Sequence, residues 1–330
     1  MPEDIAFQTK PEIALDSPHN VRRALIRIAH ADHGSKQLAG RNTGLGPERS
    51  VHRENAMPVR VERCHRVLTI IHARAEVRNA VDPEHADALY EAFAAFDSDD
   101  GADVAVFWGE GGAFCAGADL KSLAARGIAT PENAGTHRSL EFPKHGGPVP
   151  RGPMGPSWLS LGKPVIAAVE GPAVAGGMEL ALWADCRVMA EGSYMGVYNR
   201  RWGIPLTDGG TVRLPRLVGQ GRALELIMTG RRVDADECLR IGLCEMVVPE
   251  GQARRAAEDL AHQIARFPQA SVRADRRSVY MQYGLSERAA LEREWANSNG
   301  VFKSEGAAGA ARFASGAGRH GSFGSLPGRD

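Results

Sequence analysis

Two stretches of this chain share one plan: a short apolar run, a turn built almost wholly of small residues, then a helix. The first passes from Val104-Ala105-Val106-Phe107-Trp108 through a turn from Gly109 to Ala118 into a helix starting near Asp119. The second passes from Val165-Ile166-Ala167-Ala168-Val169-Glu170 through a turn from Gly171 to Gly177 into Met178-Glu179-Leu180-Ala181-Leu182-Trp183-Ala184-Asp185. Unbroken apolar runs of this length suit strands buried on both faces, as in a parallel sheet covered by helices. Small residues at each junction leave backbone N–H groups bare at a helix N-terminus, where the partial positive charge is greatest. Two such turns side by side aim two donors at one point, which is what an oxyanion hole needs. Gly-rich junctions occur throughout α/β proteins, so one alone carries little. Two of them, with Glu179 one turn into the second helix, point to chemistry.

The rest of the chain keeps the alternation. Val59 to Ala73 reads as a hairpin of two strands, Asp82-Pro83 opens a helix through about Phe96, and Cys186 to Glu191 is a further strand. Residues 127–156 are rich in Gly, Pro and His and read as a long loop. Helices are expected over 211–218, 223–229, 234–241, 253–266 and 270–283. The fold class is therefore α/β with a largely parallel sheet and a helical C-terminal region. The α/β core is placed at 58–250, a helical region for oligomerisation at 251–303 and a Gly/Ala-rich tail at 304–330. Residues 1–57 lack the pattern of a core, apart from one short helical stretch over 21–31, and are expected to be a disordered extension or a start-site artefact, with Met57 placed to be the initiator.

Composition excludes several classes. Forty Lys and Arg balance forty Asp and Glu, so neither a nucleic-acid surface nor a polybasic membrane anchor is expected. No apolar run approaches the roughly 18 residues of a membrane span, and the N-terminus has no secretory apolar region. The five cysteines (Cys64, Cys115, Cys186, Cys238, Cys244) are widely spaced, which suits unpaired thiols in a reducing cytoplasm. A G-x-G-x-x-G match over 316–321 lies in the tail with no strand before it, so it is compositional. There is no P-loop, nucleophile elbow or H-E-x-x-H, and His137 and His145 fall in the long loop as solvated side chains.

Phe114-Cys115-Ala116-Gly117-Ala118-Asp119-Leu120, then Lys163-Pro164-Val165-Ile166-Ala167-Ala168-Val169-Glu170-Gly171, then Gly176-Gly177-Met178-Glu179-Leu180-Ala181 together resemble the signature of the crotonase superfamily, the enoyl-CoA hydratases and isomerases. The similarity runs from about Val59 to at least Pro249. It implies a crotonase-like spiral of ββα units whose C-terminal helices build a homo-trimer, often a hexamer of two trimers. It also implies acyl-CoA thioesters as substrates, coenzyme A being part of the substrate, and no metal or redox cofactor. The oxyanion-hole donors would be the N–H groups of Ala118 and Gly176. Ala116 and the stretch Val77-Arg78-Asn79 match positions at the adenine end of coenzyme A, and Asp119, Leu120, Gly177 and Asn199 join them as expected substrate contacts.

Glu179 stands at the position of the first catalytic glutamate of the hydratases. The position matching the second holds Asn199 (or Arg200 with a one-residue shift), and an amide exchanges no proton at neutral pH, although it can position water. Asp208, just before Gly209-Gly210-Thr211, has two readings: a helix N-cap, or a second acid, as in the dienoyl-CoA isomerase branch. The expected activity is hydration of a 2-enoyl-CoA, with double-bond isomerisation by Glu179 as the alternative. A non-catalytic acyl-CoA-binding relative is the rival of another class. Arg200-Arg201 with Trp202 read either as an exposed basic patch over a packed aromatic or as a phosphate or trimer contact. Lys121, Lys163 and Arg216 are expected to be solvated.

Overall fold

The computed structural model describes residues 57–126 and 149–318, and its elements follow the alternation read from the sequence. β1 (Val59–Cys64) and β2 (Val67–His72) pair antiparallel as the expected hairpin. β3 (Val104–Gly109) and β4 (Val165–Val169) extend the sheet in parallel. β5 (Pro172–Val174) leaves this sheet, β6 (Cys186–Ala190) rejoins it, β7 (Tyr194–Gly196) and β8 (Arg232–Asp234) leave again, and β9 (Met246–Val248) closes its far edge. The large sheet thus runs β1-β2-β3-β4-β6-β9 and the small one β5-β7-β8. The segment from Gly171 to Gly177, read from sequence as a plain turn, contains β5. A proline at the first position of a strand hides it from pattern reading, because that site spares the missing N–H.

Ten helices are described: α1 (Pro83–Ser98), α2 (Leu120–Arg126), α3 (Gly176–Trp183), α4 (Gly210–Val218), α5 (Gln220–Thr229), α6 (Ala235–Ile241), α7 (Ala253–Ala265), α8 (Gln269–Met281), α9 (Glu287–Val301) and α10 (Ala307–Ala314). Asp82 caps α1 by accepting from the His85 N–H at 2.8 Å, with Pro83 in the first turn. The sheet is covered on both faces. On one face α7 lays Ala253, Ala257, Ala261 and Ala265, one per turn, against Val67, Val104, Val106, Ile166 and Val188. The other face, carrying Ala105, Phe107, Ala167 and Val169, shares its core with Leu89, Phe93 and Phe96 of α1. The alternation of Val104 and Val106 against Ala105 and Phe107 is the period-two pattern of a strand.

Most of the loop expected over 127–156 (127–148, with His137 and His145), the N-terminal segment to residue 56, and residues 319–330 lie outside the described residues. The tail expected from residue 304 departs from its composition, being helical over Ala307–Ala314. α9 falls inside the helical region expected over 251–303, where no separate helix was placed, and it buries no residue of its own. Its apolar side chains Leu291 and Trp295 are exposed, so they never formed a core-facing period. Lys163 is buried, not solvated: its ammonium donates to the carbonyls of Phe96 at 2.9 Å and Asp99 at 2.7 Å. These carbonyls end α1, where orphan acceptors and the helix dipole favour a cation. All five cysteines are free.

A pair of histidines sits in the aromatic core. His72 Nδ1 and His85 Nε2 are 3.0 Å apart, His72 stacks on Phe107, and the outer nitrogens of both rings have no partner among the described residues. Burial, and then the mutual charge of the pair, hold His72 well below the ordinary histidine range. Burial and the nearby Arg74 push His85 down to about 4. A folded-state pKa below the unfolded value means that the unfolded chain binds more protons, so stability is full above pH ~6.5 and is lost as pH falls toward about 4. His85 alone accounts for about 3 kcal/mol across that window. Melting temperatures measured from pH 4 to 7.5 should therefore fall more steeply for the wild type than for a His72→Leu/His85→Leu double variant. Equal slopes would show that the pair is not an acid-labile point.

Candidate active site

The two Gly-rich turns lie against each other. Cys115 N–H donates to Pro172 O and Val174 N–H to Cys115 O, both at 3.0 Å, so the first turn pairs in parallel with β5. Gly117 (φ +93°) comes so close to the second turn that a Cβ there would stand 2.9 Å from Ala175 Cβ and 3.2 Å from Gly176 N. A Cβ on Gly177 would stand 2.2 Å from Cys115 O. Asn79 supports the first turn from below: its buried amide donates to Glu110 O at 2.9 Å and Ala113 O at 2.7 Å. The sequence reading placed Asn79 with Val77 and Arg78 at the adenine end of coenzyme A; its side chain instead braces the turn. Its φ of +58°, directly after Arg78 at +54°, is the left-handed conformation that asparagine tolerates.

Ala118 is exposed, and the residues either side of it exchange backbone hydrogen bonds with Val81. Gly176 is the first residue of α3, and a helix leaves its first N–H groups without intrahelical acceptors. Among the described hydrogen bonds, none is donated by the Ala118 or Gly176 N–H. Ala175, just before Gly176, has φ +53° and ψ −125°, a region all but reserved for glycine. Its N–H is tied to Gly196 O of β7 at 2.8 Å.

Glu179 lies three residues after Gly176 on α3 and is 3% exposed. Its Oε1 accepts from the N–H groups of Asp208 and Gly210, both at 2.9 Å, so the carboxylate occupies the N-terminus of α4. Burial first, and then the negative charge of Asp208, push its pKa up to about 7, against the opposing pull of those N–H donors. Asp208 is not the N-cap of α4. Gly209 holds that position with no side-chain cap, and Glu179 meets the helix end instead. Asp208 turns the other way, its Oδ1 accepting from Met154 N–H at 2.9 Å and from the Ser157 hydroxyl. Burial raises its pKa as well.

Arg213, one turn into α4, clamps the same segments. It donates to Asp208 O and Ser157 O, each at 2.7 Å, and Trp158 Nε1 donates to Thr207 O at 3.0 Å. Met154 also touches the oxyanion turn, its sulfur lying 2.6 Å from where a Gly176 Cβ would be. Met154, Ser157 and Arg213 were missed by the sequence reading. The only available signal was that Arg213 follows Asp208 by five residues.

The other expected contacts scatter. Ala116 is bonded through its N–H to Arg78 O at 3.0 Å, so Val77, Arg78 and Ala116 do come together at one rim of the site. Asp119 caps α2, accepting from the N–H groups of Lys121 and Ser122 at 3.1 Å, and faces Arg74 at 3.3 Å. Leu120 lies exposed at the start of α2. Gly177 is the contact point between the two turns. Asn199 is buried and donates through Nδ2 to Ile204 O at 2.7 Å, while its Oδ1 has no partner among the described residues. In the Arg200-Arg201-Trp202 turn the aromatic beneath the basic patch is Tyr198, with the Arg201 guanidinium 3.7 Å from its ring centre; Trp202 itself is 67% exposed. Arg216 is exposed and stacked on Tyr283 at 4.2 Å. Among the described residues no group of side chains is arranged to hold a metal ion, and no helix is long and apolar enough to cross a membrane.

Two abutting turns, each with a backbone N–H that donates no described hydrogen bond, beside a buried carboxyl raised to about 7 have the ingredients of a site for enolate chemistry on a carbonyl compound. The chain matches the enoyl-CoA hydratase/isomerase family model over residues 62–143 and 153–315, and it belongs to that family. It is 34% identical over 226 residues to the enoyl-CoA hydratase EchA19 of Mycobacterium tuberculosis, covering 66% of this chain and 79% of that one. It is 38% identical over 191 residues to the carnitinyl-CoA dehydratase of Salmonella typhi, covering 56% of this chain and 66% of that one. The crystal structure of enoyl-CoA hydratase EchA1 from Mycobacterium marinum superposes with a TM-score of 0.69 at 32% identity, covering 79% of this chain and 96% of that one. That of the Bacillus anthracis enoyl-CoA hydratase gives 0.66 at 29%, covering 78% and 96%. The fold is thus the crotonase fold expected from the sequence.

Proposed function

We propose that this protein is an enoyl-CoA hydratase in which one glutamate does the proton work of two. The supporting observation is the fixed relation of Glu179 to the donors: it lies one helical turn from the Gly176 N–H and is anchored on the N–H groups of Asp208 and Gly210 at the start of α4. The thioester oxygen of a 2-enoyl-CoA sits between the Ala118 and Gly176 N–H groups. Water adds through its oxygen to the β-carbon as Glu179 takes one of its protons, and the π electrons move onto the thioester oxygen. The enolate then collapses and its α-carbon receives the proton from Glu179, so that one water is added and the carboxylate is regenerated. A carboxyl near pH 7 is matched to both halves of this exchange. The charge of Asp208 adds to burial in keeping the Glu179 pKa high. Val77, Arg78 and Ala116 form the coenzyme A rim.

Replacing Asp208 by Asn preserves an acceptor for Met154 and Ser157 but removes the charge. The pH dependence of kcat/KM, which rises as Glu179 ionises, should move to lower pH in Asp208→Asn because the neighbouring anion no longer opposes ionisation. An unmoved limb would mean that Asp208 does not tune Glu179. Isomerisation is the second reading, favoured by the occupation of Asp208 Oδ1, which leaves Glu179 as the one proton carrier. Loss of crotonyl-CoA enoyl absorbance with incorporation of solvent oxygen identifies the hydratase. Conversion of a 3-enoyl-CoA without oxygen incorporation would overturn it in favour of the isomerase.

The assembly belongs to the same proposal. Leu291 (56% exposed), Trp295 (63%), Phe302 (70%) and Phe313 (64%) line the C-terminal helices as an uncovered apolar stripe, which a homo-trimer or hexamer would bury. A cytoplasmic location fits the five free thiols.

A further inference from the structure

Glu179 is held at the start of α4 by two N–H groups, and each of those groups is aimed from behind. The turn from Thr207 to Gly210 is a run of consecutive trans peptide units. A trans peptide is planar with its C=O and N–H on opposite sides, so a bond that fixes the oxygen also aims the N–H. In the first unit Trp158 Nε1 donates to Thr207 O at 3.0 Å, and on the other side the Asp208 N–H donates to Glu179 Oε1 at 2.9 Å. In the second, Arg213 Nη1 donates to Asp208 O at 2.7 Å. In the third, the N–H groups of Val212 and Arg213 donate to Gly209 O at 3.1 and 2.8 Å, and the Gly210 N–H donates to Glu179 Oε1 at 2.9 Å.

Two side chains therefore stand behind the turn, and they are tied to each other. The second terminal nitrogen of Arg213 donates to Ser157 O, the residue before Trp158, at 2.7 Å. The guanidinium lies directly on the turn: a Cβ on Gly209 (φ +93°) would stand 2.3 Å from Arg213 Nη1 and 2.9 Å from its Cζ. The bond from Arg213 to Asp208 O thus depends on glycine at that position. Neither Trp158 nor Arg213 bonds Glu179 itself among the described hydrogen bonds.

We propose that Trp158 and Arg213 are positioning residues of this site: acting through the peptide units of the 207–210 turn, they fix the pair of N–H groups that holds the Glu179 carboxylate. A hydrogen bond to the charged form of an acid favours that form, so the same pair sets how readily Glu179 gives up its proton. The charged groups acting on Glu179 are Asp208, which opposes ionisation, and Arg213, which favours it. Arg213 contributes twice, by its charge and through the turn. Trp158 is neutral and contributes through the turn alone. The inference rests on the hydratase reading for its effect on turnover, whereas the hold on Glu179 is the same whichever reaction follows.

The test compares the wild type with Trp158→Phe, Arg213→Lys and Arg213→Gln. Titration of Glu179 is read by NMR of protein labelled in its glutamate carboxyls and assigned by the signal lost in Glu179→Gln; kcat and KM are measured with crotonyl-CoA. Trp158→Phe keeps a ring and deletes its N–H, so the Glu179 midpoint should move up by about half a pH unit. Its kcat should fall about three- to tenfold while KM stays within about twofold. Arg213→Gln should move the midpoint further up, and Arg213→Lys, which keeps the charge, should lie between it and the wild type. The midpoint reports the folded fraction alone, so a less stable variant stays readable. An unmoved midpoint in Trp158→Phe overturns the inference, because a change confined to Arg213→Gln is what its charge alone would give. Absence of hydration by the wild type overturns the hydratase reading, and the titration still decides the inference.

Discussion

Glu179→Gln should lower kcat by roughly 10²–10⁴-fold and at the same time make the protein more stable at alkaline pH. Both effects have one cause. The native state holds a carboxyl whose pKa is about 7 against an ordinary value near 4.5 in the unfolded chain. Between those values the native protein binds more protons than the unfolded one. The stability contributed by this group is therefore complete below pH ~4.5 and is lost as pH rises through 7. Two and a half pKa units correspond to about 3 kcal/mol. A glutamine escapes that loss and keeps its oxygen for the N–H groups of Asp208 and Gly210. Thermal melts at pH 8 should place the variant several degrees above wild type, and melts at pH 5 should bring the two together. A variant that is inactive and equally stable at both pH values would show that Glu179 is not held at a raised pKa.

Gly177→Ala should damage the site as severely without touching a charged group. The added methyl meets the backbone carbonyl of Cys115 at 2.2 Å, and that carbonyl is bonded to Val174 N–H, so neither strand can give way independently. Overpacking of this kind costs about 1–3 kcal/mol, and because the two turns are forced apart, the two donors no longer converge. Loss of one donor from such a site costs about 10²–10³-fold in kcat. Gly112→Ala is the control: it sits in the facing Gly-rich turn, the one Gly177 abuts, with φ +75° and open space around it, so it carries about 1–2 kcal/mol of backbone strain with little effect on turnover. Near-normal kcat in Gly177→Ala would sink the idea that the abutting turns set the hole.

What could be read from the sequence was whatever depends on neighbours along the chain. The two strand–turn–helix junctions and the place of Glu179 in its helix are local, and they stand as expected. The surroundings of Asp208 are not local. Met154 and Ser157 reach it across more than fifty residues, and no periodicity marks such a contact, so capping and catalysis stayed open until the structure showed Glu179 on the helix end instead. Lys163 misled for a related reason. A lone lysine beside a proline is ordinarily solvated, but the carbonyls that draw it inward belong to the end of α1, over sixty residues earlier. The small strand β5 was missed because it is three residues long and opens on a proline.

Ala175 bears on how the site meets its ligand. A side chain in that backbone region costs of order 1–3 kcal/mol, and it persists only where the surroundings over-determine it. Here the determinant is the tie from its own N–H to β7. With glycine the following peptide plane could swing; with alanine wedged between two strands it has one direction open to it. The N–H of Gly176 is therefore held in one direction before any ligand arrives. In the proposed reaction the arriving oxygen then gives up no free energy to ordering the backbone that receives it, and the strain has been met once, by the folding of the whole chain.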